Sequence, residues 1–332
     1  MIQKLQSINK KDISNLGLGL MGMSEFYGSS DDAESIKTIH HALDKGINFL
    51  DTADMYGQGH NESLLNLAIQ SWSGSREDIF ICTKFGIQRS ATDPKARAIN
   101  GRPEYLKQAC DASLKRLGIE TIDLYYQHRV DPTVPIEETV GAMKELVDQG
   151  KVRYLGLSEA SVNTISKALS VHPIAALQSE YSLWSRHLEA EILPFLESNG
   201  IRLVAYSPLG RGFLTGSIKD TRKLEENDFR RNNPRFQDKN LDQNLKLIQE
   251  LESIANKLNL SAGQLALAWI ISQKKGILPI PGTRKISRID ENFKASETKL
   301  DSITMDQLNT IFTPNKVAGF RYAEAVMKNL DL

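Results

Sequence analysis

Eight short apolar runs set the limits on what this chain can fold into. They fall at residues 16–20, 47–50, 79–83, 122–127, 152–157, 174–178, 203–206 and 277–280. Runs of this length and composition are expected for strands buried on both faces of a parallel sheet. Amphipathic helical stretches lie between them. Residues 32–45 carry Ile36, Ile39, His40 and Leu43 on one side and end before Gly46. Residues 103–117 begin with Pro103 and stop at Gly118, 135–149 stop at Gly150, and Asn199-Gly200 closes the helix before the seventh strand. Proline in the first turn and glycine just past the last one are helix punctuation. Eight such strand–helix units predict an α/β fold of the (β/α)8 barrel type, one domain over residues 1–332. A doubly wound open sheet is the structural rival, because it uses the same local units.

Two regions exceed a minimal barrel. Residues 207–240 are polar and rich in Gly, Arg and Asn, and they follow the seventh strand. In a barrel they lie over the C-terminal face, so their length predicts an ordered lid or cofactor clasp. Residues 300–332 read as a helix plus a tail that carries Phe320, Arg321 and Tyr322.

Forty-one basic and 41 acidic residues give a formal net charge of zero, which argues against a nucleic-acid partner. Cys82 and Cys110 are the only cysteines and lack metal or redox spacing, so no metal site and a reducing, cytoplasmic setting are expected. The N-terminal residues are polar, and no apolar run approaches a membrane span.

The strand ends carry the chemistry. The run 47–50 stops at Asp51, and Tyr56 follows five residues later among turn formers. The run 79–83 leads to Lys84, and 122–127 leads to His128. In a barrel, residues ending neighbouring strands converge on one pocket. A free tyrosine has a pKa of about 10, and a nearby ammonium is expected to lower it. A carboxylate would keep the lysine charged, and a histidine would orient a substrate oxygen. Gly17 to Gly22 matches GxGxxG, but a loop follows it and Asp51 comes 29 residues later, so close strand packing explains these glycines better than a dinucleotide fold does.

With these motifs in place the chain resembles the NADPH-dependent aldo-keto reductases of the (β/α)8 group. The resemblance rests on six ordered segments: 48–57 (NFLDTADMYG), 83–85 (TKF), 126–131 (YQHRVD), 150–158 (GKVRYLGLS), 205–210 (AYSPLG) and 280–284 (IPGTR). It implies reduction of an aldehyde or ketone by hydride transfer, with Tyr56 as general acid, Lys84 and Asp51 tuning it, and His128 orienting the carbonyl. It places NADPH/NADP+ on Ser158 and Gln178 at the carboxamide, and on Tyr206 stacked against the nicotinamide. Ser207, Leu209, Gly210 and Arg211 match the pyrophosphate region. Thr283, Arg284 and Arg288 match the 2′-phosphate region, with Glu291 and Asn292 at the adenine. The chain departs from many members at Glu159, where they have Asn, and at Gly282, where they have Lys; Arg284 or Lys285 stands in for the latter. Met23, Phe26, Tyr27, Phe85 and Arg129 are expected to line the substrate pocket, with Arg129 facing either a substrate anion or Asp131. A different-class alternative is an NADPH-binding regulatory or channel-associated subunit of the same fold.

Overall fold

A computed structural model describes residues 7–8, 11–90, 97–273, 276–328 and 330–331. All eight expected strands form: β1 (Leu18–Gly19), β2 (Phe49–Asp51), β3 (Phe80–Phe85), β4 (Ile122–Gln127), β5 (Val152–Ser158), β6 (Ala176–Glu180), β7 (Arg202–Tyr206) and β8 (Ile277–Pro279). They are parallel and lie in chain order across one sheet. A parallel bridge between Gly19 and Gly282 joins the two edges. Gly17 N–H donates to Pro279 O at 2.9 Å and Gly19 N–H to Pro281 O at 3.3 Å, so the sheet closes into a barrel and the open-sheet rival is removed.

Helices fill the crossovers or follow the last strand: α1 (Asp32–Asp44), α2 (His60–Ser71), α3 (Pro103–Leu117), α4 (Ile136–Asp148), α5 (Val162–Leu169), α6 (Ile192–Asn199), α7 (Asp238–Lys257) and α8 (Ala262–Ile271) precede β8, while α9 (Ile286–Ser296) and α10 (Ser302–Ile311) come after it. Pro103 sits in the first turn of α3, and Gly118 ends it with φ 63°. The buried face of α1 is Ser35, Thr38, Ile39, Ala42 and Leu43, rotated from the expected one. Thr38 lies on that face, and its hydroxyl is shared between Glu34 O at 2.9 Å and Arg284 O at 3.0 Å, tying α1 to the segment that leads into α9.

Alternation along each strand divides the core in two. Ile81, Phe85, Tyr125, Leu155, Leu157, Leu177 and Leu203 face outward to the helices. Phe49, Phe80, Cys82, Leu124, Tyr126, Ala176, Val204 and Leu278 fill the barrel, and Phe49 stacks on Phe80 with ring centroids 5.3 Å apart. Inward positions nearer the strand C-termini carry Asp51, Lys84, Gln178 and Glu180 instead, all buried. The barrel is therefore apolar below and charged above.

The long segment after β7 ends at α7, three residues earlier than expected, and is built from four short 3-10 turns between Gly210 and Phe236. It reaches across to the loop after β1: Phe229 N–H donates to Phe26 O at 3.2 Å, and the Phe229 ring meets Phe26 and Tyr27 edge-on. The C-terminal tail follows α10 as a turn at Pro314–Lys316 and a short helix at Glu324–Met327; Asn329 and Leu332 of the expected tail lie outside the described residues.

Candidate active site

A cavity of about 730 Å³ lies at the C-terminal face of the barrel. Asp51, Tyr56, His128, Ser158, Gln178 and Tyr206 line it, and Lys84 lies beneath. Parity explains the set: Asp51, Lys84, Ser158, Gln178 and Tyr206 occupy inward-facing positions of five strands, and His128 continues the inward parity of β4.

Lys84 Nζ donates to Asp51 Oδ1 at 2.5 Å and to Thr52 O at 2.7 Å. Gln178 Nε2 donates to the other carboxylate oxygen at 2.7 Å. Burial acts to discharge Lys84, but the Asp51 carboxylate outweighs it and holds the ammonium above its ordinary range. Lys84 Nζ lies 5.1 Å from the centroid of the Tyr56 ring. Tyr56 differs from expectation. Burial raises its phenol, and although Lys84 opposes that, the net direction is upward. The tyrosine thus stays protonated through neutral pH, which is the form an acid needs.

His128 meets the Tyr56 ring edge-on, centroids 5.8 Å apart. Burial first, then the positive charges of Arg129 and Lys84, hold its imidazole well below the usual range, so it is neutral. Its Nδ1 is buried and has no hydrogen-bond partner among the described residues. A buried polar atom of this kind fits a site whose partner is a bound molecule.

The expected cofactor residues divide. Ser158, Gln178, Tyr206, Ser207, Leu209, Thr283, Arg284, Arg288, Glu291 and Asn292 all line the cavity. Ser207 and Arg211 hold φ at 49° and 58°, left-handed values that cost energy for residues with a side chain and cluster at binding loops. Gly210 also has positive φ, and a Cβ there would sit 2.6 Å from the Trp184 ring, so it shapes the loop beside the cavity. Arg211 is committed elsewhere: its fork grips Glu180 at 2.7 and 3.2 Å, leaving only its backbone for a pyrophosphate. Arg288 pairs with Glu291, and Glu291 accepts from Ser261 at 2.5 Å. Arg284 donates to Ser29 O and, at 3.0 Å, to Tyr27 O, both neutral acceptors.

The expected substrate residues divide too. Phe26, Tyr27 and Arg129 line the cavity. Met23 and Phe85 do not: both are buried in the outer core, and Phe85 stacks on Tyr125 at 5.0 Å. Phe85 follows inward-facing Lys84 on one strand, so the pleat turns it away. Asp131 accepts from Gly101 N–H at 2.8 Å and from Thr133 N–H and hydroxyl at 2.8 and 2.7 Å, and it makes no pair with Arg129.

Glu159 and Tyr322 carry roles that the sequence reading did not give them. Glu159 is buried with φ 51° and is held by both terminal nitrogens of Arg321 at 3.1 and 3.0 Å. The next residue, Tyr322, lines the cavity, and its hydroxyl lies 2.8 Å from that of Tyr206. The signal was the departure itself, since an acid placed beside a barrel strand end needs a cation, and the tail offered Arg321.

Residues 15–312 match the family model described as the aldo/keto reductase family. The chain is 46% identical over 313 residues to probable aldo-keto reductase 1 of Glycine max, covering 94% of this chain and 89% of that protein. It is 41% identical over 320 residues to aldo-keto reductase yakc [NADP(+)] of Schizosaccharomyces pombe, covering 96% and 94%. Its fold resembles that of a glycerol dehydrogenase from Gluconobacter oxydans with TM-score 0.85 and 29% identity, covering 95% and 98%. A barrel with charged residues gathered at the strand C-termini has the layout of an enzyme site, and the relatives' names make the class NADP-dependent oxidoreductase. The chain belongs to the aldo/keto reductase family.

Among the described residues no group of His, Cys, Asp and Glu is arranged to hold a metal ion, and no helix is long and apolar enough to cross a membrane.

Proposed function

We propose that the protein is an NADP-dependent carbonyl reductase in which Tyr56 gives its phenolic proton to the carbonyl oxygen. The observation that carries this reading is the convergence of Tyr56, Lys84, Asp51 and neutral His128 at one end of the cavity. Family membership and the NADP(+) in the name of the yeast relative support the cofactor. The cavity fits it: Tyr206 and Ser158 line the end near Tyr56, and Thr283, Arg284, Lys285 and Arg288 line it as well, with the cationic character a 2′-phosphate requires. Gly19 and Gly282 line the wall between.

Bound there, NADPH would supply the hydride for the carbonyl carbon. The chain's own residues do the rest. His128 donates to the carbonyl oxygen or orients it through a ring nitrogen. Tyr56 delivers the proton, so hydride and proton together convert the carbonyl to an alcohol. The Lys84 ammonium stabilises the phenolate left behind, and Asp51 fixes Lys84 without touching substrate. Leu209, Phe229 and Arg230 of the long segment after β7 line the cavity and would shield a bound cofactor on that side.

The test is Tyr56→Phe. NADPH binding, followed by its fluorescence, should stay within a few-fold of the parent, while aldehyde reduction falls by about two to four orders of magnitude. Full turnover by this variant would remove Tyr56 as the acid.

A further inference from the structure

Several cations around the Tyr56 end of the cavity have a carboxylate within ion-pair distance. Arg321 is forked on Glu159, Arg211 and Arg235 share Glu180, and Arg230 holds Asp228 at 2.5 Å. Lys84 is matched by Asp51. Arg129 also lines the cavity, but among the described residues no carboxylate lies within ion-pair distance of it. Its Nη1 donates to two neutral acceptors, His128 O at 2.6 Å and Ser158 Oγ at 3.3 Å. Asp131, two residues on, is saturated by Gly101 and Thr133. The nearest acid behind it, Glu159, has both oxygens taken by Arg321.

A guanidinium without an anion, set beside the carbonyl-orienting His128, is a costly arrangement unless something else brings the negative charge. The cofactor's phosphates have their own cations in Arg284, Lys285 and Arg288 elsewhere along the cavity. We infer that Arg129 is the anion-binding residue of the substrate pocket, and that the preferred substrates are aldehydes or ketones carrying a carboxylate close to the carbonyl. The inference rests on the carbonyl-reductase reading and names its substrate class. The geometry supports a short spacing: Arg129 Nη1 folds back to within 2.6 Å of His128 O, so a carbonyl at the imidazole and an anion at the guanidinium belong to a compact oxo acid. Arginine suits this task because its planar fork meets a carboxylate through two parallel hydrogen bonds. The hydroxyls of Tyr206 and Tyr322 are turned to one another nearby, giving the anion a polar rim without a competing charge.

The experiment compares each acid with its own methyl ester, which keeps shape and removes charge. Glyoxylate, pyruvate and 4-oxobutanoate and their methyl esters are assayed with NADPH, beside neutral benzaldehyde. For at least one pair the parent enzyme should favour the acid by about tenfold to hundredfold in kcat/KM, carried mainly by KM. Arg129→Met should abolish that ratio and Arg129→Lys should keep part of it, with NADPH fluorescence confirming that both variants fold. Equal use of acid and ester by the parent across all three pairs overturns the anion subsite and leaves the reductase reading intact. So does an acid preference that survives in Arg129→Met. Loss of NADPH affinity in Arg129→Met with an unchanged acid-to-ester ratio also overturns it, assigning the guanidinium to the carboxamide. No turnover of any acid, ester or benzaldehyde by the parent overturns the reductase reading itself.

Discussion

Gln178 Nε2 lies 2.7 Å from Asp51 Oδ2, the carboxylate oxygen that Lys84 does not use. A residue expected at the cofactor carboxamide therefore also fixes the acid beneath the reacting groups. Asp51 is clamped by one charged and one neutral donor, from β3 and from β6. Each of its oxygens accepts a hydrogen bond from a protein side chain.

That clamp predicts a coupling. Lys84→Met leaves Asp51 buried without its cation and should cost about 3–5 kcal/mol of stability in denaturant unfolding. Asp51→Asn combined with Lys84→Met removes both charges and should recover most of that loss. Turnover should not recover, because the ammonium serving Tyr56 is gone. A double variant as unstable as the sum of the two singles would contradict a directly paired Asp51 and Lys84.

Catalysis should be insensitive to pH near neutrality. His128 is held below the usual imidazole range by burial, and Tyr56 is held above the usual phenol range by burial. Neither changes protonation between about pH 6.5 and 10, the unperturbed values from which they are displaced outward. The kcat/KM profile for a neutral aldehyde should be flat across that interval. A limb with its midpoint near pH 7 would require a different acid or a charged histidine.

Asp54 predicts a pH-dependent stability. Burial, then the neighbouring Glu62 charge, raises its carboxyl to about 8. The folded state therefore keeps a proton that the unfolded chain releases above its ordinary value of 3.8, so Asp54 weakens the fold as pH rises from 3.8 to about 8. Asp54→Asn should stabilise the protein, with a gain that grows over that window and is constant above it. Thermal unfolding at pH 5 and pH 8 distinguishes this from a uniform effect.

Cofactor choice should depend on Lys285. Arg284 is engaged with the carbonyls of Tyr27 and Ser29 and Arg288 with Glu291, whereas Lys285 lines the cavity with no ion pair among the described residues. Lys285→Ala should reduce the preference for NADPH over NADH by about tenfold or more, read as the ratio of the two kcat/KM values. An unchanged ratio would move 2′-phosphate recognition to the arginines.

The barrel was legible because each strand is an apolar run and four helices, α1, α3, α4 and α6, stop at glycine. Asp51, Lys84 and His128 were legible because they share one parity at the strand ends. Phe85 was misplaced for the same reason, since being next to Lys84 in sequence means pointing the opposite way. Met23 and Arg211 show a second limit. Whether a loop side chain faces a cavity or turns into the core depends on partners far away in the chain, such as Glu180 for Arg211. Glu159 and Arg321 are 162 positions apart, and no local pattern announces their pairing.

The glycine seam orders events in the life of the chain. Gly19 belongs to the first strand and Gly282 follows the last, and both line the cavity. A Cβ on Gly19 would stand 2.9 Å from Ile280 O, so only a bare backbone lets these two ends meet. During synthesis the first seven strands can be laid side by side with one part of the cavity wall still missing. That part, Ile280 to Asn292, arrives only with the residues after β8. A dinucleotide held across Gly19 and Gly282 would then act as a rivet between the oldest and youngest parts of the molecule. Slow amide exchange at Gly17 and Gly19 in its presence would record that the rivet is in place.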